Sequence, residues 1–124
     1  MADYTLINLH DLENMAPKYG HGEDMEARFA TKHLQLTKSG LGIQKVLPGR
    51  TIPFKHKHAE QEEVFIVVGG SGCIRLDDEV VELKTWDAIR VPPEVIRTLE
   101  GGADGMEVII IGSPYTGKND AIIT

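Results

Sequence analysis

A chain of 124 residues, 41% hydrophobic and 26% charged, is sized for one compact domain with a packed core, and this composition argues against long disorder. Its 13 basic and 19 acidic residues give a net charge of −6 without a long block of one sign, which argues against a nucleic-acid backbone as the main partner. No stretch reaches the roughly 18 apolar residues of a membrane span, and Met1–Leu6 has neither a basic nor an apolar leader region, so a cytoplasmic address without membrane contact is expected.

Thirteen glycines and six prolines cut the chain into short segments rich in Val, Ile, Thr and Phe, the pattern of an all-β protein. In chain order, strands are expected at Tyr4–Leu9, Arg28–Thr37, Gly42–Leu47, Thr51–His58, Glu63–Val68, Ser71–Leu76, Glu79–Leu83, Ala88–Val91, Val95–Glu100 and Met106–Gly112. One short helix is expected over Asp11–Lys18, with Asp11 as its N-cap and Pro17 ending it. Turns are expected at Pro48-Gly49, Gly69-Gly70, Asp77-Asp78, Pro92-Pro93 and Gly101-Gly102. Short strands joined by tight turns imply a barrel or sandwich.

Past Gly112 the chain reads as a loop and then an apolar edge segment, Ala121–Ile123. That segment and Tyr4–Leu9 look like edge strands needing cover, and a homodimer would cover them. The lone Cys73 rules out an internal disulfide and is expected as a buried core thiol. Trp86 is expected to pack over a barrel end, and Met106 to lie in the core.

The chemistry concentrates in the stretch from Pro48 to Gly70. Residues two apart in a strand share a face, so His56 and His58 point one way while Lys55 and Lys57 point the other. The polar run Ala59–Glu62 turns the chain, leaving Glu60 and Glu62 in solvent, and the next strand puts Glu63, Phe65 and Val67 on one face. Two imidazoles and the Glu63 carboxylate on paired strands make a facial triad that suits Fe(II) and could equally hold Mn, Zn, Ni or Co. No catalytic general base is identified by the sequence.

Gly49, His56, His58, Glu63 and Gly70 resemble the first motif of the cupin family, with one extra residue between Gly49 and His56. The second cupin motif maps less well onto Trp86–Gly101. Its proline is Pro92; Trp86 and Glu94 stand at glycine positions, Gly101 at the asparagine position, and Arg97 at the place of the fourth metal ligand. The resemblance covers about Leu41–Gly112 and is similar to that of small bacterial cupins of undefined function, which carry an arginine at the same place. It implies a double-stranded β-helix, or jelly-roll barrel, with residues 1–124 as a single cupin domain. It also implies a small-molecule ligand and a homodimer.

Arginine stays protonated and offers only donors, so Arg97 cannot ligate a metal. At about 5 Å from a site with one net positive charge, it would repel a cation by roughly 3 kcal/mol at an effective dielectric of about 20. Either an anionic ligand bridges metal and guanidinium, or Arg97 pairs with Glu63 or Glu100 in a metal-free pocket. Phe54, Phe65, Val67 and Val91 are expected as an apolar wall, with Gln44 as a polar contact. The function expected is that of a metal-dependent oxygenase or isomerase acting on a small anionic substrate. The alternatives are a non-catalytic ligand-binding or sensor barrel with Arg97 paired to a pocket carboxylate and no metal, and a storage role through oligomer contacts.

Overall fold

Burial alternates along Glu62–Val68, with Glu63, Phe65 and Val67 turned inward between less buried neighbours, and Phe65, Val67 and Ile74 are at most 1% exposed in the structure, a computed structural model describing Met1–Thr124. Eight strands form one curled sheet: β1 Met25–Phe29, β2 Gly40–Val46, β3 His56–His58, β4 Glu62–Leu76, β5 Glu79–Lys84, β6 Ala88–Val91, β7 Arg97–Ser113 and β8 Ala121–Ile123. β4 and β7 are its frame, antiparallel from Glu62 opposite Ser113 to Leu76 opposite Arg97. β7 carries β2 on its other edge, and β2 carries β1. β5 and β6 pair along the free edge of β4. β3 touches β7 at one register position, His56 opposite Arg97, and carries β8 along its whole length. The inner face closes around Met25, Val46, Phe65, Val67, Ile74, Val91, Leu99, Met106 and Val108. This all-β, double-stranded β-helix architecture is the one expected, with Met106 in the core. No helix is long and apolar enough to cross a membrane.

Several expected elements are corrected. Tyr4–Leu9 forms no strand; Tyr4 and Leu6 are exposed, and the segment ends in a 3-10 turn at Leu9–Asp11, where the Asn8 side chain accepts from the His10 N–H. The helix over Asp11–Lys18 is replaced by that turn and a second one at Ala16–Tyr19. Asn14 Oδ1 accepts from the N–H groups of both Ala16 and Ala27, tying this stretch to β1 instead of extending a helix. The strand expected at Arg28–Thr37 begins at Met25 and stops at Phe29, because Ala30 and Thr31 carbonyls accept local turn bonds from Leu34 and Leu36. Of Thr51–His58 only His56–His58 joins the ladder, with Thr51 making a lone bridge to Glu100; Pro53 has no N–H to donate.

Gly69-Gly70 and Gly101-Gly102 are not turns. They lie inside β4 and β7, where the register shifts between Val67 and Gly69 and again between Gly70 and Gly72. Gly70 has φ +69, and a Cβ there would run into the Gly105 carbonyl. Cys73 is half-buried opposite Glu100 rather than in the core; burial and the Glu100 charge push its thiol pKa up. Trp86 caps nothing: it is 76% exposed on the turn between β5 and β6, at φ +76.

Candidate metal centre

Period-two geometry delivers both imidazoles of β3 to one side, and β4 brings Glu63 back beside them. One ligand atom from each of His56, His58 and Glu63 falls within 4.8 Å of the others. Glu63 Oε2 lies 3.3 Å from His58 Nε2, and Oε1 lies 3.7 Å from His56 Nε2. The imidazoles meet edge to face with centroids 5.1 Å apart. His58 Nε2 is buried and lacks the alignment for a hydrogen bond to Glu63, which makes it the one buried side-chain nitrogen or oxygen without a partner.

Arg97 is 1% exposed, and its guanidinium is nearly saturated. Nη1 donates to Glu63 Oε1 at 2.7 Å, Nη2 to the Pro92 and Pro93 carbonyls at 2.6 and 3.3 Å, and Nε to the Val95 carbonyl at 2.9 Å. The Pro93 carbonyl also accepts the His58 N–H at 2.8 Å, so one turn of chain ties guanidinium and ligand strand together. Glu100, the other carboxylate in reach by sequence, pairs instead with Arg75 on the outer side.

Behind His58 stands a residue the sequence reading missed. Asp120 Oδ1 accepts from His58 Nδ1 at 2.7 Å, while its Oδ2 accepts the N–H groups of Glu60 and Gln61 at 2.8 and 2.9 Å. Nothing local marks Asp120, which stands 62 residues after His58 in what reads as a loop before a short apolar segment.

Of the expected lining, Phe54 is half-buried, its ring 6.2 Å from His56 and 5.1 Å from His21. Phe65, Val67 and Val91 are core residues. Gln44 is half-buried on β2 opposite Ala27 and Val108, in the cross-strand row of Val67, two inward positions along β4 from Glu63. A groove of about 1210 Å³ is open to solvent between Thr51–Lys55 and the side chains of Arg75, Asp77 and Asp78. It reaches Phe54 and Arg97, but none of the three clustered residues lines it.

Burial by itself would raise the pKa of Glu63. The adjacent His56 and His58 imidazoles outweigh it and hold the carboxyl at about 2, and the Arg97 guanidinium pulls the same way. Burial would lower His58, but the Glu63 and Asp120 carboxylates reverse this and lift it above its ordinary value. Burial likewise opposes ionisation of Asp120, and the bonds from His58, Glu60 and Gln61 bring its pKa down. A carboxyl depressed in the folded state stabilises it above the unfolded pKa, and that stability is lost as pH falls through the folded value. For Glu63 the window runs from 4.5 down to about 2. Urea unfolding in chelator should therefore lose about 3 kcal/mol across it that Glu63→Gln does not lose; equal acid slopes in the two proteins would refute the assignment.

A curled β-helix that gathers two histidines and a glutamate on its inner face defines a barrel of the kind that houses a small interior site. Residues 42–111 match the Cupin domain family model, and the chain belongs to this family. An uncharacterized protein of Methanocaldococcus jannaschii is 32% identical over 57 residues, covering 46% of each chain. Gentisate 1,2 dioxygenase 1 of Aquipseudomonas alcaligenes is 35% identical over 52 residues, covering 42% of this chain and 15% of that protein. These matches thus span less than half of either relative. A cupin protein of Bacteroides fragilis superposes with a TM-score of 0.75 at 22% identity, over 96% of this chain and 91% of the other.

Proposed function

We propose that His56, His58 and Glu63 hold one divalent ion of Fe, Mn, Zn, Ni or Co and present it to a small anionic molecule, within a single cupin domain spanning residues 1–124. The observation that carries this reading is His58 Nε2, a buried nitrogen without a hydrogen-bond partner inside a cluster of three ligand atoms. An unpaired buried polar atom costs about 1–3 kcal/mol, and a metal ion offsets that cost. Two imidazoles and a carboxylate are also a donor set that first-row divalent ions accept. When bound, such an ion supplies Lewis-acid polarisation of a ligand oxygen and open coordination positions.

Around it, this chain's residues divide the work. Arg97 takes one oxygen of Glu63 and so fixes the rotamer that points Oε2 toward His58. Its positive charge, added to that of the ion, favours an anionic ligand. Phe54, Phe65 and Gln44 are assigned to the ligand's apolar and polar surroundings. Oxygenase or isomerase turnover fits such a site, and the likeness to gentisate 1,2 dioxygenase supports the first. A homodimer belongs to the same reading, since β8 leaves one strand edge uncovered with Ile122 and Ile123 exposed.

A second reading rests on the Arg97–Glu63 pair itself, which neutralises the carboxylate without an ion and suits a non-catalytic ligand-binding barrel. Elemental analysis separates the two. Protein purified without an affinity tag should carry close to one equivalent of metal, and His56→Ala should lower affinity by at least roughly a hundredfold while its far-ultraviolet spectrum stays that of a β protein. Equal metal content in wild type and His56→Ala would remove His56 from the site, and no metal in either would favour the second reading.

A further inference from the structure

We propose that Asp120 is a positioning residue that sets the tautomer of His58, so that the C-terminal strand β8 is a working part of the metal centre. The inference rests on the metal reading above for its purpose, but its geometry stands alone. An ionised carboxylate only accepts hydrogen bonds. Asp120 Oδ2 is committed to two backbone donors, and Oδ1 faces His58 Nδ1 at 2.7 Å, so Nδ1 must carry the proton. In the neutral ring this leaves Nε2 as a lone pair turned to the cluster, the form in which imidazole ligates a metal.

Glu63 competes for the same ring proton and loses. Its Oε2 sits 3.3 Å from Nε2 without hydrogen-bond alignment, and its charge is already answered by Arg97. The position of Asp120 follows from the sheet. His56, Lys57 and His58 pair with Ile123, Ile122 and Ala121, whereas β7 meets β3 only at His56. Beyond the ladder, Ala59 N–H donates to the Asp120 carbonyl and Thr124 N–H to the Lys55 carbonyl, at 3.1 and 3.0 Å. Most of what holds the ligand strand is thus the last strand. By linkage, an ion that draws on His58 steadies the docked strand, and the docked strand favours the ion to the same degree.

Asp120→Asn tests this, because an amide cannot satisfy all three donors. Its oxygen takes the two backbone N–H groups, its NH2 then faces His58 Nδ1, and the ring proton moves to Nε2, the nitrogen meant for the metal. Long-range nitrogen–proton correlation spectra of metal-free, 15N-labelled protein, taken above the titration of His58, read the tautomer directly. The expected result is Nδ1–H in the wild type and Nε2–H in Asp120→Asn. A wild type with Nε2–H overturns the proposal even if the variant fails to fold, and a variant that keeps Nδ1–H overturns it as well.

Zinc titration calorimetry supplies the second readout. Asp120→Asn should bind Zn2+ about ten- to a hundredfold more weakly. Zinc should slow amide exchange at Ala59 and Thr124 in the wild type and fail to do so in the variant. Equal zinc affinity in the two proteins overturns the positioning role. A wild type that binds no zinc overturns the metal reading instead, and the tautomer spectra still decide the place of Asp120.

Discussion

Arg97→Leu should lower the stability of the metal-free protein by about 3–5 kcal/mol, the usual cost of stripping one partner from a buried ion pair. Arg97 is 1% exposed and the Glu63 side chain 9%, so neither charge is appreciably screened by water. The leucine also abandons the carbonyls of Pro92, Pro93 and Val95, each of which accepts from the guanidinium. Saturating zinc should narrow the gap between wild type and variant, because the ion offers Glu63 a new positive partner and no longer works against the guanidinium charge. Urea unfolding with chelator and then with zinc reads both effects. A variant within about 1 kcal/mol of wild type in chelator would mean that Glu63 does not depend on Arg97.

Gly72→Ala should cost about 3 kcal/mol, lowering the melting temperature by on the order of 10 °C, although it adds a single methyl group. A Cβ at Gly72 would enter the Glu100 carbonyl and lie 3.2 Å from the Gly101 Cα, and neither of these backbone atoms can swing aside. Gly69, three positions earlier in the same strand, is the control. A Cβ there meets only the Glu107 side chain at 3.8 Å, an ordinary contact, so Gly69→Ala should stay within about 0.5 kcal/mol of wild type. Thermal melts of the two variants settle the point; equal losses would mean that β4 and β7 can separate locally to admit the methyl group.

Those glycines show where reading the chain as text succeeds and where it stops. Alternation along Glu63–Val68 is a local, two-residue signal, and it placed Glu63, Phe65 and Val67 on the inner face as the strand does. The His-x-His step is equally local, which is why the histidine and glutamate cluster is legible in the sequence. Gly-Gly, in contrast, signals only backbone freedom, and freedom serves a bulge as well as a reversal. Ser71–Leu76 and Glu63–Val68 therefore read as two strands where the molecule builds one. Pairing across long separations leaves no local trace at all. Asp120 beside His58, and Ala121–Ile123 beside the ligand strand, follow from how the sheet curls. The place of Arg97 in a motif points it to the pocket, yet its hold on the Pro92 and Pro93 carbonyls depends on the path of the turn.

Trp86, the chain's single tryptophan, rides a turn with most of its indole in water. Its emission is therefore already that of a hydrated ring in the native protein, and intrinsic fluorescence is nearly blind to unfolding. The same exposure makes the indole a built-in beacon for whatever settles on the turn between β5 and β6: a blue shift at constant far-ultraviolet ellipticity reports a visitor, not a change of fold.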